Sequence, residues 1–273
     1  MAKKGDRTLI SFYWALKSIL RQKDNFDILE GFLSDLLKEK IKITGLLESE
    51  SNQDGKKDKF NRVDLKAKDS ADKEIIIEVQ HDPEPDYLER VYYGTSKSLV
   101  DDMKSGYRYK KVKKIISVSI VYWQLLEKSY IVKGSMKFED LTQNREMEVK
   151  EAKDIFADYY FIQPEWFDDK IKTAIDEWVY LFKYSKVKGD IKATNIDSVS
   201  EKLDRLKMSD EERIAYDEYQ FNKTINEGVL QVREDKGKNK MIEAMKKGGM
   251  SKEEIERIVK LSEEESSGNA RTQ

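Results

Sequence analysis

Two acidic residues and a glutamine are spaced along one predicted β-hairpin so that they could bind a cation together. Residues 60–83 read FNRVDLKAKDSADKEIIIEVQHDP, and apolar residues alternate on both sides of a polar DSADK turn, which predicts two paired strands. If the turn is centred near Ala71, Asp64 lies opposite Glu78. Because side chains alternate between faces with a period of two, Asp64, Glu78 and Gln80 project from the same face of the hairpin.

The two carboxylates repel each other unless a positive charge lies between them. Like charges directly opposite on a sheet destabilise it by about 0.2 to 1 kcal/mol. A bound cation would compensate for that cost. The alternative is a solvated hairpin face without function. A site is favoured because Glu78 and Gln80 end an otherwise apolar strand that leads into a turn and a helix, where sites on α/β sheets form.

The composition restricts the available chemistry. The 273-residue chain has no cysteine and one histidine, His81. Disulfides, thiolate zinc sites and cysteine nucleophiles are therefore excluded, and histidine-based metal sites and Ser-His-Asp triads are disfavoured. Lysine and arginine number 51 against 53 acids, so the net charge of −2 argues neither for nor against nucleic acid as a ligand. Catalysis has to depend on carboxylates, lysines, tyrosines or serines.

Apolar periodicity predicts the elements that position these residues. Two amphipathic helices open the chain, followed by a short strand and the hairpin. The next predicted elements are a helix at 86–106, a buried strand at 114–123, strands at 129–138 and 154–162, and a helix at 168–185. This order indicates an α/β domain over residues 1–188 and a charged helical region over residues 189–273.

The last part of the chain differs in character from the rest. Beyond residue 197 charged residues dominate, and no proline or credible strand occurs. Ser209 with Glu212, and Ser251 with Glu254, form capping boxes. Helices are therefore predicted to begin near both serines.

The same segments, taken in order, resemble a known family. A strand Asp, a turn and Glu-Val-Gln resemble the PD-(D/E)XK nuclease signature, with Gln80 in place of the usual lysine. The following RVYYGTSKSLVDDMKSGYRYKKVKKIISVSIVYW is similar to the arginine, tyrosine pair, G-x-x-Y and apolar strand of the Rpn family of recombination-promoting nucleases and transposases. Further on, DEWVYLFK, MSDEERIAYDEY and GGMSKEEIERIVKLSEEE are similar to that family's tryptophan helix, acidic tail helix and C-terminal helical pair. The resemblance covers most of the chain.

The resemblance implies a restriction-endonuclease-like core, a mixed sheet flanked by helices, that hydrolyses DNA with Mg²⁺ or with Mn²⁺ as a substitute. It implies Asp64 and Glu78 as catalytic metal ligands, the Val79 carbonyl as a third ligand, and Gln80 as the catalytic residue at the lysine position. Such a metal lowers the pKa of bound water and neutralises charge on the phosphate. A lysine stabilises developing negative charge, whereas glutamine only orients water or donates a neutral hydrogen bond. With Gln80 at the lysine position, the sequence does not determine the catalytic rate.

Glu30 and His81 are the other residues considered for the site. Glu30 lies on the predicted helix FDILEGFLSDLL and is our candidate for an additional catalytic acid, with a solvated helix face as the alternative. The family more often has an apolar residue there, and its early D-x-x-F-K pattern is reduced to Leu16-Lys17. His81 directly follows the motif, and we expect it to be a solvent-exposed loop histidine.

A basic segment is the candidate for contact with phosphates. Residues 104–114 contain six lysines and arginines, two tyrosines and no acid. Such a segment can hold the nucleic-acid backbone while aromatic rings stack or hydrogen bond. A solvated connection between helix and strand is the alternative for this segment. Arg90, Tyr92 and Tyr93 are expected to support the site from the neighbouring helix, with ordinary packing as their alternative. The residues expected to bind nucleic acid are Arg90, Tyr93, Arg108, Lys110, Lys111 and Lys113.

Three functions remain compatible with the sequence. The leading hypothesis is a Mg²⁺-dependent DNA endonuclease linked to recombination or mobile elements. The second is a DNA-binding or partner-binding module that has lost turnover, which Gln80 favours, and the third is an interaction protein acting through its tail. The C-terminal helix has an acidic face, which predicts a protein partner or a homo-oligomer rather than insertion into a DNA groove. Since no run approaches the roughly 18 apolar residues of a membrane span, we expect a cytoplasmic protein.

Overall fold

The structure is a computed structural model of the chain. It describes residues 11–18, 20, 22–47, 65–71, 73–103, 109, 112–149, 151–188, 193–204 and 208–271. Four predicted site residues, Asp64, Arg108, Lys110 and Lys111, lie outside the described residues. The chain divides into two compact units, Met1–Lys207 and Met208–Gln273.

The described part of the first unit is built on a six-stranded mixed sheet with the order β1-β2-β3-β4-β8-β5. The strands are β1 (Ile43–Leu47), β2 (Leu65–Asp69), β3 (Glu74–Gln80), β4 (Ile115–Val121), β5 (Ile131–Gly134) and β8 (Asp158–Ile162), and a separate small hairpin is formed by β6 (Phe138–Asp140) and β7 (Arg145–Met147). Strands β3, β4 and β8 are parallel, and the outer pairs are antiparallel. The predicted α/β fold with a mixed sheet is confirmed.

The described residues form eight α-helices, six in the first unit and two in the second. They are α1 (Phe12–Ser18), α2 (Phe26–Leu37), α3 (Tyr87–Asp102), α4 (Ala152–Ile155), α5 (Ala174–Tyr184), α6 (Ile196–Lys202), α7 (Asp210–Lys247) and α8 (Lys252–Arg271). Among the described residues, no helix combines the length and apolar character that crossing a membrane requires.

The predicted register of the β2–β3 hairpin is confirmed for its described pairs. Leu65 pairs with Ile77, and Ala67 pairs with Ile75. The turn is closed by the Asp69 carboxylate, which accepts hydrogen bonds of 2.8 Å from the main-chain N–H groups of both Ala71 and Lys73. Alternation within β3 therefore sends Glu74, Ile76, Glu78 and Gln80 to one face and Ile75, Ile77 and Val79 to the other.

Helix α3 covers the face that carries Glu78. Ile76 packs against Leu99 of α3, and Val91 packs in a cluster with Val121 and Phe161 of the sheet. The Thr95 hydroxyl lies 2.9 Å from the Tyr159 hydroxyl. The start of α3 therefore lies over the end of β3, and the end of α3 lies over its beginning.

An aromatic cluster joins α1, α2 and α5. The Phe32 ring lies 5.0 Å from Phe182 and 5.8 Å from Trp178, and Phe12 lies 4.4 Å from Phe182. Trp178 is completely buried, and its indole N–H donates a 2.8 Å hydrogen bond to Asp35. Because α3 occupies one face of the sheet, we assign this helical layer to the opposite face, where Ile75, Ile77 and Val79 are fully buried.

The first unit ends with a segment that returns to α2. The Asp35 carboxylate accepts hydrogen bonds from the main-chain N–H and the hydroxyl of Thr194, at 2.8 and 2.7 Å. Lys202 of α6 forms a 2.7 Å ion pair with Asp27. A Cβ at Gly31 would collide with the Thr194 carbonyl, so only glycine permits this approach. The compact unit therefore includes α6 and extends past the boundary expected after Lys188.

The second unit consists of α7 and α8. Ser209 accepts a hydrogen bond from the Glu212 N–H while Glu212 accepts one from the Ser209 N–H. Ser251 and Glu254 form the same reciprocal pair. Both predicted helix starts are confirmed.

Candidate functional site

Glu78 lies near the carboxyl end of β3 in a largely buried position. Its side chain is 9% exposed, and its neighbour on β4 is the buried Ser119. One carboxylate oxygen, Oε2, accepts a 3.1 Å hydrogen bond from Arg90 and a 3.3 Å hydrogen bond from the Tyr87 hydroxyl. A buried carboxylate requires a nearby positive charge, and here the Arg90 guanidinium supplies it.

Arg90 connects Glu78 to a second acid. Its Nε lies 3.1 Å from Oε1 of Glu84, and its guanidinium packs 5.2 Å from the centre of the Tyr87 ring. The side-chain amide of Gln80 lies 3.4 Å from the other Glu84 oxygen, Oε2. Glu78, Gln80, Glu84, Tyr87 and Arg90 thus form one connected network, which we call the β3-end site.

Tyr87 forms the apolar wall of the β3-end site. Only 2% of the residue is exposed, and its ring meets that of Trp123 edge-on at 5.4 Å. The pKa of Tyr87 is raised above its usual value. Burial is the largest cause, and the neighbouring Glu78 carboxylate is the second. Tyr87 therefore remains a neutral hydrogen-bond donor to Glu78 across the physiological pH range.

A second buried acid lies beneath the other end of α3. Glu74 is 2% exposed, forms a 2.9 Å ion pair with Lys66 and accepts a hydrogen bond from the Ser98 hydroxyl. Lys66 projects from the same sheet face as Glu78, but its ammonium group is held at Glu74. The hydrogen bond from Ser98 to Glu74 therefore ties α3 to the sheet.

The structure places the Glu30 carboxylate away from the β3-end site. Glu30 accepts 2.9 Å hydrogen bonds from the Ile43 N–H and the Lys42 ammonium. Ile43 pairs with Asp69, level with the beginning of β3. Glu78 lies four residues further along β3, which corresponds to about 13 Å. Glu30 therefore anchors β1 to α2, and the structure does not bring it to Glu78.

The described end of the basic segment also lies at the beginning of β3. The Lys114 carbonyl accepts a 3.1 Å hydrogen bond from the Glu74 N–H, and the Lys114 ammonium forms a 2.8 Å ion pair with Asp158. Lys113 is the preceding residue and is half-buried. Tyr93 lies on α3 with 40% of its surface exposed. Lys113 and the β3-end site are thus separated along the sheet.

His81 is a loop residue directly after β3, as predicted, but it is half-buried, so the predicted solvent exposure is wrong. Its ring stacks on Tyr122 at 4.3 Å with an angle of 22° between the planes, and the residue is half-buried. The Tyr122 N–H donates to the Gln80 carbonyl, which continues the β3–β4 ladder by one residue. The ring contact therefore holds His81 against Tyr122, the residue that follows β4.

The sequence did not predict that Glu84 and Tyr87 belong to the site. Both follow the motif closely and flank the predicted start of a helix, but only the docked position of α3 shows that they meet Glu78. Glu78 and Glu84 provide carboxylate oxygens and Gln80 an amide oxygen, which are ligand types that Mg²⁺ takes. Among the described residues, no group of three or more acids or histidines lies close enough to hold a metal ion.

Comparison with known proteins agrees with this geometry. Residues 13–225 match the PD-(D/E)XK nuclease family transposases. The chain therefore belongs to that family, and the resemblance noted from its motifs is confirmed. No curated protein and no solved structure matches the chain significantly.

Proposed function

We propose that the protein is a Mg²⁺-dependent DNA endonuclease that acts in the cytoplasm on recombining or mobile DNA, with Mn²⁺ as a substitute. The observation that supports this most directly is the buried Glu78 carboxylate at the end of β3, next to Gln80, in a chain that belongs to a nuclease family. Burying a carboxylate is costly unless it is paired and hydrogen-bonded, so an acid held in this way at the end of a central strand favours a role that requires its charge.

Asp64 and Glu78 would hold the metal, together with the Val79 carbonyl. When bound, the metal neutralises phosphate charge and activates water. Asp64 directly precedes β2, whose described pairs are in the register that would place it opposite Glu78. Gln80 orients the attacking water with its amide, and Tyr87 closes the site on its apolar side.

Arg90 favours a second candidate function. Because its guanidinium already pairs with Glu78, that carboxylate has a counter-charge without a metal. A DNA-binding or protein-binding module that has lost turnover would keep this arrangement. In an endonuclease, Arg90 would stay paired with Glu84 and could also meet a substrate phosphate.

Cleavage of supercoiled plasmid tests the proposal. We expect nicking or linearisation with Mg²⁺ and none in EDTA. Asp64→Asn should abolish cleavage, because an amide lacks the charge that holds the cation. Asp101→Asn, at an exposed position on α3, should cleave normally. Metal-dependent cleavage by Asp64→Asn would remove Asp64 from the site, and failure of the wild type to cleave would favour the binding module.

DNA binding by Arg108, Lys110, Lys111 and Lys113 is tested by salt dependence. Each phosphate contact contributes about −0.9 to the slope of log affinity against log salt concentration. In EDTA, changing Lys110, Lys111 and Lys113 together to glutamine should reduce the magnitude of the slope by about 2 to 3. The control changes the exposed Lys128, Lys137 and Lys170 in the same way. If both triple variants keep the wild-type slope, the basic segment does not bind DNA.

A further inference from the structure

Helix α7 exposes several large apolar side chains along one face. Ile214, Phe221, Ile225, Val229 and Val232 are 66%, 65%, 46%, 45% and 51% exposed. At 100° per residue they fall within roughly 80° of the helix circumference, along about 27 Å of its length. We call them the α7 stripe. An apolar row of this kind on one helix face is typical of a surface that another protein covers.

The first turn of α7 and the segment beyond the far end of the stripe differ in charge. The first turn is acidic, with Asp210, Glu211 and Glu212, whereas Lys236, Lys238 and Lys240 lie beyond the end of the stripe. In a parallel pair of such helices, the acidic turns would meet each other and so would the lysines. In an antiparallel pair, each acidic turn meets the lysines of the partner.

We propose that two copies of the chain associate through their α7 helices in antiparallel orientation, centred near residue 223. This alignment places Ile214 opposite Val232 of the second copy and Phe221 opposite Ile225. The spacing within the stripe lacks a sustained heptad repeat, so the contact is a short helix pair rather than a long coiled coil. The interaction goes beyond the proposed nuclease activity and does not depend on it.

The same alignment accounts for two polar features of α7. Glu218 lies within the arc of the stripe, and it falls opposite Gly228 of the second copy. Glycine inside a helix is destabilising, and beyond the neighbouring helix backbone a Cβ at Gly228 would have no described atom within 4 Å. Opposite Glu218, the missing side chain leaves room for the carboxylate. Asp210 and Lys236 face each other at the two ends of the pair.

The mass of the full-length protein in solution is the first test. By light scattering after gel filtration, we expect twice the 32.0 kDa of the single chain at micromolar concentration. Phe221→Asp and Ile225→Asp should each give the single-chain mass with unchanged helix content, because both positions are exposed. Met241→Asp, on the opposite side of α7, is the matched control and should stay dimeric. A wild type of single-chain mass, or a dimer that survives Phe221→Asp, would overturn the proposal.

Disulfide cross-linking tests the orientation, because the natural chain has no cysteine. Ile214→Cys and Val232→Cys chains are prepared separately and then oxidised alone or mixed. Antiparallel pairing predicts covalent dimers in the mixture and none in either variant alone, since identical positions lie about 27 Å apart. Covalent dimers in each single preparation would show parallel pairing and reject the alignment.

Discussion

Glu78→Gln is expected to abolish metal-dependent DNA cleavage. Several kcal/mol of charge stabilisation come from a bound metal, and about 4 kcal/mol corresponds to about a thousandfold in rate. Glutamine keeps the size of the side chain and can still accept hydrogen bonds from Tyr87 and Arg90, so the fold should persist. The loss would therefore report the missing charge at the end of β3.

Thermal unfolding separates this effect from damage to the fold. A cation that binds only the native protein raises its stability by RT ln(1 + [L]/Kd). The wild type should melt at a higher temperature in millimolar Mg²⁺ than in EDTA, and Glu78→Gln should lose most of that difference. Glu89→Gln, an exposed position on α3, is the control and should retain both cleavage and the Mg²⁺ response. An intact Mg²⁺ response in Glu78→Gln would exclude Glu78 as a ligand.

Trp178→Ala is expected to lower the free energy of unfolding by about 3 to 5 kcal/mol. The substitution leaves a cavity between Phe32 and Phe182 and removes the indole donor to Asp35. Urea denaturation followed by circular dichroism measures the change, with the slope checked for two-state behaviour.

The matched control for Trp178→Ala uses the same change at a less buried tryptophan. Trp166 is half-buried in a short 3-10 turn, so Trp166→Ala should cost clearly less. Equal losses would show that the aromatic cluster of α1, α2 and α5 is not the main source of stability.

The parts of the fold that depend on local patterns could be predicted from the sequence. Alternation and one short turn determine the register of β2 and β3, and a nearly continuous apolar run identifies β4 as a buried strand. The capping boxes locate the starts of α7 and α8. In each case the interacting residues are close in the sequence, so the local pattern contains the structural information.

Contacts between distant segments could not be predicted in this way. Strand β5 pairs with β8 and forms the sheet edge, although β8 comes later in the chain. Local periodicity does not encode that order. The candidate site shows the same division. Glu78 and Gln80 follow from strand alternation, whereas the ion pairs of Arg90 with Glu78 and Glu84 depend on how α3 docks. Glu30 was a candidate catalytic acid because the sequence does not show that the Ile43 N–H and the Lys42 ammonium donate hydrogen bonds to its carboxylate.

The return of residues 193–202 to α2 has a consequence for synthesis on the ribosome. Asp35 and Gly31 are made early, but Thr194 and α6 are the last described elements of the first unit to leave the exit tunnel. Until they emerge, the surface of α2 is incomplete, and Asp35 lacks the hydrogen bonds that Thr194 donates. The first unit therefore completes its fold only after nearly all of its residues, including those of α6, have been translated.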